Sequence, residues 1–360
     1  MVSSHRVVLG VWLIAAAELP DSRDRLASGL RLPPNTRLRA CKHGIFAFPE
    51  NDAVIGASLE RYGEWSEGEL STMLALIRPG DLVVDVGGNI GAFTVPIARA
   101  VTAAAGDGVV RGRVFTFEPE PNLYALLALN LGLAGLDGVV SAYRVALGAS
   151  RGSTRFTHDA EFSTSTNWGA SALVEGVEGV GDAAVTVLPL DEVLASDDCP
   201  ALIKVDVEGW ETAVLRGANR TLSPHIGRCS DARAVLYVEN NCIRGSADLL
   251  TLLRALEYNV WWDVRPYFSG PSNFRNYQGR ETLFGDDGVL AINVLAVPRE
   301  RTAQVNSERE ISVEGFVQLS LGYDDEAFPA FLPYLHQYDL LWRNATTRLR
   351  QHGDLSACIR

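Results

Sequence analysis

The stretch Leu82-Val83-Val84-Asp85-Val86-Gly87-Gly88-Asn89-Ile90-Gly91 constrains this chain more than any other. It predicts a buried strand that ends in an acid, followed by a glycine turn that opens a helix. The arrangement returns as Arg113-Val114-Phe115-Thr116-Phe117-Glu118-Pro119-Glu120. A strand ending at a glycine loop, then a strand ending in an acid, is how an α/β fold holds a nucleoside.

The order of residues in the turn selects the nucleoside. A dinucleotide site needs G-x-G-x-x-G, because the backbone must approach a pyrophosphate closely at a helix N-terminus. Here Asn89 stands where the second glycine would be, and its side chain would crowd the diphosphate. Asp85 would repel the same anion. The acid suits a ligand with a positive end, such as the ammonium of S-adenosylmethionine, which carries no phosphate. Glu118 would then accept hydrogen bonds from the two ribose hydroxyls. The span from Asp85 to Glu118 exceeds the ~20 residues usual in such units, and the glycine-rich run 104–112 accounts for it as an insertion.

Charge narrows the partners. The net charge of −12 argues against nucleic acid or an anionic membrane, because phosphates demand a basic patch. Five cysteines at 41, 199, 229, 242 and 358 include no C-x-x-C pair, so neither a disulfide framework nor a zinc site is indicated. The apolar run from Val7 to Leu19 is too short to span a bilayer and lacks a clean cleavage site. A cytoplasmic location follows from the proposed cofactor, which is made there.

Strands alternate with helices along the chain. Glu67 to Ile77 predicts a helix, with Leu70, Met73, Leu74 and Ile77 at helical spacing and Pro79-Gly80 as its stop. Strands follow at 82–86, 113–118 and 140–146, with helices near 91–102 and 121–134. Residues 148–190 break the rhythm as an excursion with hairpin strands near 154–156 and 185–187. Alternation resumes with strands at 201–207 and 234–239, helices at 210–222 and 247–256, and strands near 258–264 and 289–297. This order implies a mostly parallel sheet covered on both faces, with one antiparallel strand at its edge.

The second dense signal is Ala201-Leu202-Ile203-Lys204-Val205-Asp206-Val207-Glu208-Gly209-Trp210-Glu211. On a strand, Lys204, Asp206 and Glu208 share one face. Three ionisable groups there are costly unless paired or hydrated. Tyr237-Val238-Glu239-Asn240 ends the next strand in another acid, so Asp85, Glu118, Asp206, Glu208 and Glu239 would line one rim. Asp206, Glu208 or Glu239 could serve as catalytic base for a hydroxyl acceptor. The opposing reading is a Lys204–carboxylate pair with helix-dipole stabilisation of Glu208 or Glu211. Carboxylate oxygens also suit a divalent cation, but the spacing does not require one and no metal is assigned.

These blocks resemble the FkbM family of S-adenosylmethionine-dependent methyltransferases. The resemblance rests on Val84 to Gly91, on Phe117-Glu118-Pro119-Glu120-Pro121 with Asn130-Leu131, and on Ile203 to Gly209 with Glu211, Val214-Leu215 and Gly217-Ala218. It covers roughly residues 50–297 and implies a class I (Rossmann-like) fold with a seven-stranded sheet. It also implies O-methylation of a small molecule, sugar or natural product. It carries Asp85, Gly87, Asn89, Gly91 and Glu118 over as the cofactor site. Pro119, Ala146, Leu147 and Asp206 are placed in that set too, as is Glu64 in the family-like segment Tyr62-Gly63-Glu64-Trp65. The expected organisation is an N-terminal extension over 1–50, a methyltransferase domain over 51–299, and a C-terminal appendage over 300–360 with a helix near 326–350. Trp210 departs from the family pattern and would shape the acceptor pocket.

Acceptor candidates are the late aromatics Trp261, Trp262, Tyr267, Phe268, Phe274 and Tyr277, with Asn273 among them and Trp168 in the excursion. His158 and His225 lie outside the recognisable blocks and read as surface histidines. Three other readings stand beside hydroxyl methylation. One is a nicotinamide-dependent oxidoreductase, disfavoured by Asn89 and Asp85. Another is a non-catalytic binding module, and the third is methyl-ester formation on a carboxylate, which needs no base.

Overall fold

The computed structural model describes residues 35–102, 104–105, 108–109, 112–156, 173, 184–225, 229, 233–240, 246–267, 272–277, 283, 290–302 and 316–318. The apolar run at 7–19, the expected helix at 326–350, Trp168, Phe268 and His158 lie outside them.

An antiparallel hairpin comes first, β1 (Thr36–Cys41) with β2 (Gly44–Pro49). Two short helices follow, α1 (Ile55–Arg61) and α2 (Glu67–Ala75). The first repeating unit is β3 (Leu82–Val86) and α3 (Thr94–Val101). The insertion after it includes a minimal hairpin, β4 (Ala104–Ala105) with β5 (Gly108–Val109). Then come β6 (Arg113–Phe117), α4 (Pro121–Ala134) and β7 (Val140–Tyr143).

Helix α4 has clear sequence causes. Pro121 occupies its first turn, the Glu120 carboxylate caps it by accepting the Leu123 N–H at 2.6 Å, and Gly135 ends it at φ +68°. The expected strand 140–146 splits. Its last residues form β8 (Ala146–Leu147), which leaves the main sheet and joins β9 (Gly152–Thr154) and β10 (Val185–Leu188) in the order β8-β10-β9.

The chain continues through α5 (Leu190–Val193), β11 (Leu202–Val205), α6 (Glu211–Arg216), α7 (Asn219–Leu222), β12 (Val235–Glu239) and α8 (Ser246–Ala255). It closes with β13 (Tyr258–Pro266), β14 (Leu290–Pro298) and β15 (Phe316–Gln318). The main sheet has the order β15-β13-β14-β12-β11-β3-β6-β7. Strands β12, β11, β3, β6 and β7 are parallel neighbours.

Two details correct the expectation. The antiparallel strand β14 lies inside the sheet between β12 and β13, not at its edge. Among the described residues the sheet has eight strands, one more than the seven expected, because β15 from the region 300–360 pairs with β13. A sequence marks strands but not which edge a late strand joins.

Both faces are packed, as a largely parallel sheet requires. Val83, Val114, Leu202 and Val235 pack with Phe46, Phe48, Leu126 and Leu127 on one face. Val84, Ile203, Val205 and Leu236 pack with Val214, Leu215, Leu249 and Leu253 on the other. Asn130 ties the first layer together. Its side chain donates to the carbonyls of Ala47 at 2.9 Å and Ile90 at 2.8 Å, and accepts the Ala47 N–H.

One expectation about cysteine fails. Cys199 and Cys229 form a disulfide with Cα atoms 5.6 Å apart. They sit in separate loops near the N-terminal end of β11, so their spacing along the chain gives no sign of the pairing.

Candidate active site

The carboxyl ends of the parallel strands open into a cavity of about 380 Å³. Its position follows from the sheet, because the turns after β3, β6 and β11 meet where the strands stop. Volume and lining are of the kind that holds a small molecule.

The turn after β3 is built on tight backbone approach. Gly87 lies at φ +82°, and a Cβ there would stand 1.9 Å from the Asp206 carbonyl. Any side chain would push β3 and β11 apart. Asn89 also takes a left-handed conformation, at φ +50°. Its N–H donates to Glu118 Oε2 at 2.9 Å, while the Glu120 N–H donates to Oε1 at 2.9 Å. Two amides therefore aim the Glu118 carboxylate. Burial pushes its pKa up to about 8 despite those bonds, and the charge of Glu120 adds to the rise.

Gly87, Asn89, Glu118, Pro119, Ala146, Leu147 and Asp206 all line the cavity. Glu64, Asp85 and Gly91 do not. Asp85 is fully buried beneath the turn, where its carboxylate accepts from Thr94 Oγ1 at 2.6 Å and lies 3.2 Å from Lys204 Nζ. Its charge is met by lysine rather than held out to a ligand, as a buried carboxylate requires. Glu64 accepts the Phe274 N–H at 2.9 Å, and its neighbour Trp65 lines the cavity instead. Gly91 makes the last bend of the turn at φ +87°.

The second acidic block departs from the extended reading. Strand β11 ends at Val205, and the chain then turns through left-handed Glu208 (φ +54°) and Gly209 (φ +94°). That turn, rather than strand alternation, brings Glu208 to the cavity. Carboxylate oxygens of Asp206, Glu208 and Glu239 lie within 4.8 Å of one another. Burial, then the charges of Asp206 and Glu211, push Glu208 up to about 7. Lys204 is 3.4 Å from Asp206 as well as beside Asp85, and these two charges raise its pKa against the effect of burial.

Several lining residues were not singled out by the sequence. Glu69 on α2 is buried, accepts from Asn293 Nδ2 at 2.8 Å and from Ser66 Oγ, and is pushed up to about 7 by burial and Asp206. Its only sign in the sequence was its place one turn before Met73 in the apolar stripe. Phe156 and Leu173, bridged across the excursion, close another wall.

Of the acceptor candidates, Tyr267 lines the cavity and packs on Trp65 with ring centroids 4.7 Å apart. Trp261 packs into the core, and Phe274 is largely exposed. Tyr277 contacts Tyr62, and Asn273 is buried in a loop turn. His225 is exposed beside Glu257. Trp210 lines the cavity, and its buried Nε1 has no hydrogen-bond partner. Among the described residues no helix is long and apolar enough to cross a membrane.

Comparison with known proteins finds a family match and several similar proteins. A hexuronic acid methyltransferase from Haloferax volcanii is 28% identical over 39% of this chain, and the chain spans about half (52%) of that relative. A solved methyltransferase FkbM from Methylobacillus flagellatus shares 18% identity over 61% of this chain and 44% of its own, with a TM-score of 0.36. A solved SAM-dependent O-methyltransferase from Thermotoga maritima shares 16% identity over 64% of each chain, with a TM-score of 0.32. Residues 85–240, which hold the glycine turn, Glu118 and the acidic block, match the methyltransferase FkbM domain.

Proposed function

We propose that the cavity binds S-adenosylmethionine and that the chain methylates a hydroxyl oxygen of a small molecule, sugar or natural product. The observation that carries this is the Glu118 carboxylate, aimed into the cavity by the amides of Asn89 and Glu120. A carboxylate so placed accepts a pair of vicinal hydroxyls, as on a ribose. Phe117, Pro119, Ala146 and Leu147 offer flat apolar contact for a purine beside it. The unpartnered Trp210 Nε1 adds a buried donor. The donor set fits the cofactor. When bound, that cofactor supplies a methyl group on a sulfonium with a neutral leaving group.

The chain itself orients the acceptor and moves one proton. As the new C–O bond forms, the hydroxyl proton passes to a carboxylate. Glu208 is suited to this, since a base with pKa near 7 combines ionisation with driving force at neutral pH. Asp206 and Glu239 beside it stabilise the positive charge that develops on the acceptor oxygen. A cytoplasmic location follows from where the cofactor is made. The Cys199–Cys229 bond weighs on the other side, because cytosolic thiols are kept reduced.

Calorimetric titration with S-adenosylhomocysteine tests the reading. The wild type should bind, and Glu118→Ala should lose most of that affinity. Absence of binding by a well-folded wild type would sink the proposal. Glu208→Gln should lower turnover by roughly 10²–10⁴-fold with cofactor affinity retained. An unchanged rate would favour a carboxylate acceptor.

A further inference from the structure

The first turn of α2 departs from what its sequence prescribes. Ser66-Glu67-Gly68-Glu69 has the pattern of a capping box, in which Ser66 would accept from the helix and Glu69 would reach back to the Ser66 amide. Instead, Ser66 stands in the left-handed region at φ +39°, and its Oγ donates to Glu69 Oε2. Asn293 on β14 donates to the other oxygen, Oε1, at 2.8 Å. Glu69 is thereby withdrawn from its own helix and fixed in the cavity wall, 6% exposed, between two neutral donors. A carboxylate in such a place is costly unless a cation joins it.

Lys204 already occupies the acceptors of the glycine turn. Asp85, the acid that the motif would offer to a positive ligand, lies 3.2 Å from its ammonium beneath the turn. The Gly87 carbonyl accepts from the same lysine at 2.8 Å, and Asp206 lies 3.4 Å from it. Strand order then gives a direction. Glu118 follows β6, with Ala146 and Leu147 beyond β7 on one side of it. On its other side come the Gly87 turn after β3, Asp206 after β11 and Asn293 on β14. A cofactor with its ribose on Glu118 and its purine against Ala146 and Leu147 extends its methionine end along this rim toward Glu69.

We propose that Glu69 receives the α-ammonium of the cofactor's methionine end, the role that the glycine-turn motif suggests for Asp85. The proposal rests on the methyltransferase reading and assigns one residue within it. A carboxylate–ammonium contact is a charge-assisted hydrogen bond, worth about tenfold or more in affinity. Ser66 and Asn293 are positioning residues, because they hold the carboxylate in place.

The test is calorimetry on the full chain with three thioethers that differ only at the amino-acid end. S-adenosylhomocysteine carries both charges, 5′-S-(3-aminopropyl)-5′-thioadenosine the ammonium alone, and 5′-S-(3-carboxypropyl)-5′-thioadenosine the carboxylate alone. In Glu69→Gln the two amine-bearing ligands should each lose about tenfold or more in affinity. The carboxypropyl ligand should bind as before or more tightly. Equal losses for all three ligands, or no loss for any, overturn the proposal. Asn293→Ala serves if Glu69→Gln folds poorly. Releasing Oε1 should weaken the amine-bearing ligands selectively, and an equal effect on all three again overturns the proposal. Failure of the folded wild type to bind any of the three is a different result and overturns the methyltransferase reading instead.

Discussion

Lys204 Nζ donates to the carbonyl of Gly87 at 2.8 Å, across 117 residues of chain. The same ammonium lies between Asp85 and Asp206, so one side chain joins the glycine turn after β3 to the acidic turn after β11. Strand register makes this unavoidable, since Lys204 stands directly opposite Asp85. The two sequence blocks most distinctive of the chain are therefore two halves of one structure.

Removing the ammonium should be severe. Lys204→Met leaves Asp85 fully buried without its countercharge, and breaking such a pair costs about 3–5 kcal/mol. Thermal unfolding should show a large drop. Lys204→Arg, which keeps the charge, should recover more of the stability than of the S-adenosylhomocysteine affinity, because it alters the Gly87 contact.

Glu118 should make cofactor binding depend on pH. Its pKa of about 8 leaves the unliganded carboxyl mostly protonated at pH 7, whereas hydroxyl donors favour the ionised form. Affinity should rise with pH up to about 8 and then level off. Calorimetry at pH 7 in two buffers of different ionisation enthalpy should show proton release, and Glu118→Gln should abolish it.

The same shift governs stability without ligand. Folding raises the Glu118 pKa from 4.5 to about 8, so the folded state binds the proton more tightly than the unfolded chain. Its contribution is complete below pH 4.5 and is lost as pH rises through 8. Glu69 and Glu208, each pushed up to about 7, act in the same direction over a narrower window. Glu118→Gln should thus gain stability relative to wild type as pH is raised from 5 to 9 in denaturant titrations.

Asn130 should be nearly irreplaceable. Asn130→Ala strands the Ala47 amide and two carbonyls at a buried position, each worth about 1–3 kcal/mol when left unsatisfied. A loss of several degrees in Tm with the sheet intact by circular dichroism is expected. Asn130→Asp should not rescue, because it accepts but cannot donate.

The disulfide should matter for stability and not for the site. Reduction, or Cys199→Ser, should lower stability by about 2–4 kcal/mol. S-adenosylhomocysteine affinity should stay unchanged, since the bond lies at the opposite end of β11 from the cavity. Thiol titration of unfolded protein, with and without prior reduction, reports whether the bond is formed.

Hydrophobic runs and their punctuation determined the fold's outline: where β3, β6, β11 and β12 run, and that α4 begins at Pro121 and ends before Gly135. These are local effects, set by propensity, capping and period. The same locality made the glycine turn and Glu118 legible as a pair. Tertiary structure decided what depends on pairing distant segments. It inserted β14 between β12 and β13, joined Cys199 to Cys229, and brought Glu69 to Asn293 across 224 residues. It also reversed the role of Asp85. Its position in the motif suggested a charge facing a ligand, but its place in the sheet, fully buried against Lys204, makes it the electrostatic anchor beneath the site. A sequence shows that an acid is present; only burial and neighbouring charge determine whether it meets a ligand or a lysine.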